Sequence, residues 1–225
     1  FGLAAATRLT LVTMLPIVCY VVTMRTGNRR TRLHAVLTIC AFFVVSMGLY
    51  GVYNAARFDS PFETGLRYHK YNQGRFARDL RGPNGAFIHP RYIPRNAWYM
   101  TLNPPELTNI PPFLRFDVEG NGIIYTSPLV LAIAALPFSE TARKPVGRGF
   151  IAASLISILA CIAALLVYFS TGWKQFGYRY LLDALPVFFL LLAASAQRIP
   201  VVVIAIGTIV SIAVCLLGTV WAINL

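Results

Sequence analysis

Acidic residues are rare in this sequence, which has eight Asp and Glu among 225 residues. Charged residues of both signs make up 12% of the chain, about half of their usual share in a water-soluble domain, and the mean hydropathy is +0.63. This composition excludes a soluble globular domain and indicates an integral membrane protein. The net charge of +12 does not indicate nucleic-acid binding, because basic residues of membrane proteins gather beside anionic headgroups. We expect membrane lipids as partners and no nucleic acid.

The sequence also lacks the close spacing of Cys and His that a zinc site needs. Its four cysteines all lie in apolar runs, where a cysteine usually serves as a small buried hydrophobic residue: Cys19, Cys40, Cys161 and Cys215. Its three histidines are far apart: His34, His69 and His89. These residues predict no metal site, and the sequence leaves the metal dependence of the complete protein open.

Signatures for binding a soluble nucleotide are absent as well. The chain has no Gly-rich phosphate loop, no Ser nucleophile elbow and no dinucleotide-binding fingerprint. We therefore expect no soluble cofactor. An enzyme built from this chain would need an activated donor that is held in the membrane.

Long apolar runs are abundant, and they predict six membrane spans. The predicted spans are at about residues 9–24, 33–53, 122–137, 149–170, 180–196 and 200–222. The third is the shortest, and Pro128 and Pro137 predict that it enters the membrane broken or tilted. The predicted fold class is all-α, a polytopic transmembrane helical bundle with a long extracytoplasmic loop. Its parts are two helices in 1–53, the loop in 54–121, and four helices in 122–225.

The charges of the short connections support this topology. Three short connections contain basic residues. They are Arg25, Arg29, Arg30 and Arg32 between the first two spans, Arg143, Lys144 and Arg148 between the third and fourth, and Arg198 between the fifth and sixth. These connections alternate along the chain, as the positive-inside rule requires of one cytoplasmic face. Residues 54–121 and 171–179 then lie outside.

The long outer loop is rich in aromatic residues, which a disordered linker would lack. Basic residues alternate there with apolar and aromatic ones: Phe87, Tyr92, Ile93, Trp98, Tyr99 and Met100. This pattern predicts one or two short helices that lie in the membrane interface. The prolines of Asn103-Pro104-Pro105 and Pro111-Pro112 exclude a continuous helix after them.

A polar segment from Trp173 to Pro186 separates two apolar runs. If a helix already begins at Tyr178, Arg179 and Asp183 share one face and can pair, because they are four residues apart. A charge at the start of a membrane helix is costly unless it is paired, hydrated or bound to a ligand. We therefore expect Arg179 to bind a ligand or Asp183.

Three neighbours of Arg179 could bind the same ligand: Lys174, Tyr178 and Tyr180. Aromatic residues at a span boundary are also common as plain membrane anchors, which is the alternative for Trp173 and Tyr178.

A second polar segment, from Tyr53 to Gly65, begins where the second predicted span leaves the membrane. Arg57 and Glu63 could form a structural ion pair there. Alternatively, Arg57 or Arg67 could hold an anionic ligand, because the planar guanidinium matches phosphate oxygens. Both interpretations stay open from the sequence.

Three motifs, taken together, resemble the C-terminal half of bacterial membrane glycosyltransferases of the GT-C type, the relatives of protein mannosyltransferases and aminoarabinose transferases. The motifs are Tyr53-Asn54 with Arg57-Phe58 and Ser60-Pro61-Phe62-Glu63-Thr64-Gly65, then Gly122 with Tyr125-Thr126-Ser127-Pro128, then Phe176-Gly177-Tyr178-Arg179-Tyr180 with Pro186. The opening residues 2–10 resemble a span from the middle of such proteins. The chain departs from the pattern at Asp59, where Gly is common, and at Leu66, where an aromatic residue is common.

The resemblance implies a multi-pass enzyme of the bacterial cytoplasmic membrane. It would transfer a sugar from a polyprenyl-phosphate carrier to an extracytoplasmic glycan, lipid or protein. The catalytic acidic residue of that family usually lies in a first outer loop upstream, so no catalytic residue is assigned here. The apolar start at Phe1 likewise predicts a piece of a longer protein. The predicted substrate-binding residues are Arg57, Glu63, Arg67, Lys174, Tyr178, Arg179, Tyr180 and Asp183.

Two other functions remain open. A transporter or flippase of lipid-linked sugars would share the phosphate site, but its spans should carry polar residues near mid-membrane, and the predicted span centres are almost purely apolar. A non-catalytic structural membrane subunit would need no site. The transferase hypothesis depends on the two polar segments meeting at the outer membrane boundary.

Overall fold

The computed structural model describes residues 2–25, 27–65, 68, 79, 86–109, 111, 113–172 and 174–223. Arg67 and Trp173 lie outside these described residues. The chain forms two compact units, Phe1–Gly85 (unit 1) and Ala86–Leu225 (unit 2). The boundary falls inside the long connection, so residues 86–121 belong to the same unit as the four later apolar runs.

The part of unit 1 that the structure describes is mostly helical. Its helices are α1 (Gly2–Thr7), a 3₁₀-helix (Leu9–Met14), α2 (Leu15–Arg25) and α3 (Arg29–Phe58). Pro16 has no amide hydrogen, which is why the residues before it form a 3₁₀-helix and α2 starts anew. Asn28 caps α3, since its Oδ1 accepts a 2.8 Å hydrogen bond from the amide of Thr31. The helix ends at Asp59, whose φ of 57° lies in the left-handed region.

Unit 2 is also mostly helical. Its α-helices are α4 (Ile93–Ala97), α5 (Ile123–Thr126), α6 (Glu140–Arg143), α7 (Pro145–Leu166), α8 (Leu185–Ala196) and α9 (Val201–Ile223). Its other helical segments are the 3₁₀-helices Pro90–Tyr92, Pro128–Phe138 and Arg179–Asp183, and the π-helix Trp98–Leu102. The 3₁₀-helix Pro128–Phe138 packs against α8 and α9.

Three of the described helices are long and apolar enough to cross a membrane: α3, α7 and α9. They coincide with the second, fourth and sixth predicted spans, so a membrane protein is supported. The first and fifth predicted spans contain shorter apolar helices. The third contains the 3₁₀-helix Pro128–Phe138, which begins and nearly ends at the two prolines. At about 2 Å per residue its 11 residues cover roughly 22 Å, less than a hydrocarbon core of about 30 Å.

The described residues are mostly helical, as predicted, but they also include short strands that the all-α prediction did not anticipate. Strands β1 (Glu106–Leu107) and β2 (Leu114–Arg115) form an antiparallel pair. Strands β3 (Glu119–Asn121) and β4 (Gln175–Gly177) form a parallel pair in which Glu119 faces Gln175 and Asn121 faces Gly177. The second pair joins the regions before and after α7, which no local sequence pattern indicated.

The predicted interfacial helices form, but they pack into unit 2. Tyr92 and Met100 are each only 2% exposed. Asn96 is fully buried, and its Nδ2 donates hydrogen bonds to carbonyls at the C-terminal end of α7, those of Leu165, Leu166 and Tyr168, at 2.9, 3.0 and 2.6 Å. These bonds satisfy carbonyls that a helix end leaves unpaired. The segment is therefore a cap for α7, with Trp98 48% exposed beside it.

Candidate functional site

The β3–β4 pair positions the polar residues of unit 2. Gln175 is buried, and its Nε2 donates to the carbonyls of Thr171 at 2.7 Å and Glu119 at 2.5 Å. Gly120 has a φ of 101°, and a Cβ there would lie 2.8 Å from Gln175 Nε2. Gly172 has a φ of 113° and also lies against this amide. Two glycines in the left-handed region thus leave the room that the Gln175 side chain occupies.

A buried polar network extends from this pair. Asn103 Nδ2 donates to the carbonyl of Gly120 at 2.9 Å and to Asp117 Oδ2 at 3.3 Å. Asn121 Oδ1 accepts from the amide of Asp117 at 3.0 Å. Thr171 Oγ1 donates to Glu119 Oε2 at 2.9 Å. The groups of this network are hydrogen-bond partners of one another, so breaking any one bond would leave a buried polar atom unpaired. The network therefore stabilises the local backbone.

The ring of Phe176 packs between the β3–β4 pair and α9. It packs edge-on against Phe116, with ring centroids 4.7 Å apart. On its other side it lies so close to Gly218 of α9 that a Cβ at that position would overlap the ring. Phe116 also packs against Trp221. The motif Phe176-Gly177-Tyr178-Arg179-Tyr180 is therefore held beside α9 by aromatic packing.

Between these elements lies a cavity of about 340 Å³, which we call the polar end of the groove. Its polar lining residues come from two segments, Gly122 to Pro128 and Gln175 to Tyr180, and they are Thr126, Ser127, Gln175, Tyr178 and Arg179. The structure thus brings together two segments that lie about 50 residues apart in the chain. It adds Gln175 to the site, which the sequence did not single out, and Thr126 and Ser127, which the sequence placed in a motif but not among the predicted binding residues.

A second cavity of about 530 Å³ continues along the 3₁₀-helix Pro128–Phe138, α8 and α9, and we call it the apolar end. The two cavities share lining residues at their junction: Ile123, Ser127, Leu185 and Cys215. The hydroxyls of Thr208, Ser211 and Thr219 are bonded to carbonyls of α9 itself, at 2.8 Å each. Their polar atoms are therefore satisfied, and this end is almost wholly apolar. Together the two cavities form one amphipathic groove.

Arg179 lies exposed at the polar end, with its guanidinium 5.5 Å from the centroid of the Tyr180 ring. Lys174 is also exposed, and its φ of 50° places it in the left-handed region that a turn requires. Both cations are accessible to an anionic ligand.

Tyr178 is only 5% exposed, and its hydroxyl has no hydrogen-bond partner among the described residues. Burial raises the pKa of this hydroxyl, and the neighbouring Tyr180 adds to the shift, whereas Arg95 opposes it. The group is therefore protonated at neutral pH and can donate a hydrogen bond.

The predicted pairing of Arg179 with Asp183 is wrong. The residues from Arg179 to Asp183 form a 3₁₀-helix, not an α-helix. With three residues per turn, positions four apart point about 120° away from each other. Arg179 contacts the ring of Tyr180 instead, while Asp183 is 8% exposed.

The other predicted residues belong to unit 1. Arg57 donates a 2.8 Å hydrogen bond to the hydroxyl of Tyr53, and its guanidinium lies 5.0 Å from the centroid of the Phe58 ring. Glu63 accepts a 2.9 Å hydrogen bond from the amide of Gly65. The contacts of Arg57 are thus with aromatic residues and not with Glu63. Whether the unit 1 residues act with the groove of unit 2 stays a prediction from the sequence.

Within the described part of the chain, no three His, Cys, Asp or Glu side chains are grouped as metal ligands would be. Comparison with protein-family models, with curated proteins and with solved structures gives no match. The functional argument therefore rests on the residues and the groove.

Proposed function

We propose that this chain is the C-terminal part of a multi-pass membrane glycosyltransferase with about six spans. It would take a sugar from a polyprenyl-phosphate carrier and pass it to an acceptor outside a bacterial cytoplasmic membrane. The observation that supports this most directly is the amphipathic groove, in which a polar end beside Arg179 runs into an apolar end along α8 and α9. A ligand that matches both ends has a charged head and a long apolar tail.

The polar end suits a lipid-linked phosphate. Arg179 is an exposed cation in its wall, and a guanidinium matches phosphate oxygens with two parallel hydrogen bonds. Lys174 is a second exposed cation, next in sequence to the lining residue Gln175. The protonated hydroxyl of Tyr178 is a neutral donor in the same wall. The sugar would lie near Gln175 and Thr126, whose side chains are polar but uncharged.

The apolar end suits an isoprenoid tail. Its volume of about 530 Å³ falls within the range of ligand pockets, about 300–1,000 Å³, and its lining is aliphatic and aromatic. The 3₁₀-helix Pro128–Phe138 places Val130 and Ile133 three residues apart, so their side chains stack in one row along the wall. A straight apolar chain could lie against such a row.

The proposed reaction breaks the bond between the anomeric carbon and the phosphate oxygen, and forms a bond from that carbon to an acceptor oxygen. The bonding electrons leave with the phosphate, which gains negative charge. Arg179 would offset this charge where it develops. The proton of the acceptor hydroxyl goes to a base that we do not place among the described residues.

The test is an Arg179→Ala substitution in the complete protein, assayed in membranes for sugar transfer from a polyprenyl-phosphate donor. We expect the rate to fall on the order of a hundredfold, as for loss of one group that stabilises developing charge. Arg115→Ala is the matched control, because Arg115 is an exposed arginine on β2 outside the groove. Transfer at the wild-type rate in the Arg179→Ala protein would remove this residue from the mechanism.

The same assay separates the transferase from a flippase. A flippase moves the carrier across the membrane with its sugar–phosphate bond intact, whereas a transferase yields free polyprenyl phosphate. Helix α9 carries no charged residue and α7 carries none beyond Arg148, which favours the transferase, because charged groups near mid-membrane mark transport paths. Carrier movement without release of polyprenyl phosphate would overturn the proposal.

A further inference from the structure

We propose that one end of unit 2 is a binding surface for the headgroup of an anionic phospholipid. The surface, which we call the basic end, consists of Glu140, the two arginines that pair with it, and two more exposed cations on the same turn: Arg143 and Arg198, then Lys144 and Arg148. It lies at the N-terminal end of α7, a helix of 22 residues and thus about 33 Å long. The candidate groove borders β4, close to the other end of this helix.

Glu140 joins the two connections that supply these cations. Its Oε1 lies 3.3 Å from Arg143 Nη1 and forms a second ion pair with Nη2 of Arg198, which is 58 residues away. A single carboxylate bridges two guanidiniums and leaves the surface with excess positive charge. The side chains of Arg143 and Arg198 remain 65% and 39% exposed, so both are within reach of a ligand.

The turn that carries three of the cations is rigid. Ser139 is fully buried and caps α6, since its Oγ accepts a 3.2 Å hydrogen bond from the amide of Ala142. Gly147 of α7 lies so close to the carbonyl of Thr141 that a Cβ there would overlap it. The backbone of Arg148 is fixed by a 2.9 Å hydrogen bond to the carbonyl of Lys144. The cations are therefore presented by a preorganised backbone.

Apolar side chains beside the cations identify the ligand as a lipid. Phe138, Val146 and Val201 are 70%, 61% and 80% exposed, and each adjoins the basic end in sequence. Exposed apolar groups next to exposed cations match the boundary between acyl chains and headgroups. A single phosphate diester with net negative charge, as in phosphatidylglycerol, complements this surface. Phosphatidylcholine does so less well, because its own cation repels the arginines.

This inference is independent of the proposed function, since it needs only that unit 2 lies in a membrane. The test uses the purified full chain in neutral detergent, titrated with short-chain phosphatidylglycerol or phosphatidylcholine. Binding is followed by native mass spectrometry and by the thermal unfolding midpoint. We expect phosphatidylglycerol to bind more tightly and to raise the midpoint. Each basic residue near an anionic lipid surface strengthens binding about fivefold. We therefore expect an Arg143→Gln/Arg198→Gln protein to bind phosphatidylglycerol roughly 25-fold more weakly than the wild type.

Two matched proteins control for charge and folding. An Arg115→Gln protein loses one charge from an exposed residue outside the basic end and should keep wild-type affinity, whereas Arg143→Gln alone should bind roughly fivefold more weakly. An Arg143→Lys/Arg198→Lys protein keeps the charge and should keep most of the preference for phosphatidylglycerol. Equal affinity for the two lipids, or equal loss in the control, would overturn the proposal. So would competition by millimolar inorganic phosphate, since that result would indicate a site for a free anion.

Discussion

The side-chain amide of Gln175 donates a hydrogen bond to the backbone carbonyl of Glu119, which lies 56 residues earlier in the chain. The same nitrogen also donates to the carbonyl of Thr171. One side chain thus ties together the strand that precedes α5 and the turn that follows α7. The polar end of the groove exists because these two segments are held side by side.

We predict that Gln175→Leu destabilises the protein by about 1–3 kcal/mol. The carbonyls of Thr171 and Glu119 each lose a donor, and removal of the buried, unpartnered Oε1 of Gln175 offsets part of that loss. The thermal midpoint in detergent should fall accordingly. Gln197→Leu is the matched control, since Gln197 is an exposed residue at the end of α8 and should change the midpoint little. An equal midpoint for the two variants would show that Gln175 does not hold the segments together.

Gly122 is predicted to tolerate no side chain. A Cβ there would overlap the backbone of Thr101 and Leu102, which cannot move aside as a flexible side chain can. Gly122→Ala should therefore cost about 1–3 kcal/mol, as overpacking does elsewhere, and lower the thermal midpoint. Gly48→Ala makes the same chemical change where no atom lies within 4 Å, and it should be neutral or stabilising within a helix. Similar midpoints for both proteins would contradict the close packing.

Cys215 offers a direct probe of the groove, because it is exposed and lines both ends. In a Cys19→Ser/Cys40→Ser background, we expect N-ethylmaleimide to modify Cys215 well before Cys161, which is fully buried. Polyprenyl phosphate should slow this modification, and mass spectrometry of the intact chain would follow it. A polyprenyl alcohol should protect less than the phosphate at equal concentration. Equal protection by the two would mean that the polar end contributes nothing to binding.

Tyr178 should make stability depend on pH in the alkaline range. Its pKa is raised in the folded protein by burial, so the folded state holds the proton more tightly than the unfolded state, where the pKa is about 10. The stabilisation is complete below that value and is lost as pH rises above it. We expect Tyr178→Phe to be somewhat more stable than the wild type at pH 7, since it removes a buried hydroxyl that has no partner among the described residues. Above about pH 10 the variant should retain more stability, and parallel unfolding curves would contradict this.

The sequence predicted the position of α3 but not its ends. The predicted span 33–53 lies inside α3, which runs from Arg29 to Phe58 and begins at the cap Asn28, a signal that the sequence analysis did not use. The fourth span was predicted to continue to residue 170, but α7 ends at Leu166. Residues 167–169 are apolar and aromatic, yet the amide of Phe169 bonds to the carbonyl of Phe87. Hydropathy alone could not show that the helix ends at Leu166, because the residues after it are also apolar. Their backbone pairs with a segment that is distant in the sequence.

The candidate site was predictable only in part. The unusual position of Arg179 identified its segment, and the motif with Thr126 and Ser127 was visible as part of a resemblance. Gln175 carried no such signal, because its role depends on contacts with Thr171 and Glu119 that form only on folding. The predicted contact between Arg179 and Asp183 required an α-helix, in which residues four apart share a face. These residues instead form a 3₁₀-helix with three residues per turn, so the two side chains point in different directions.

The three hydrogen bonds from Asn96 have a mechanical consequence. They bind α4 to the end of α7, and the π-helix that continues α4 carries the Thr101 carbonyl that rests on Gly122. Ile123, the next residue, lines the groove. Helix α7 therefore cannot shift relative to α4 unless these hydrogen bonds break or the backbone beside Ile123 moves with it. The wall of the groove is thus anchored to a helix that does not itself line it.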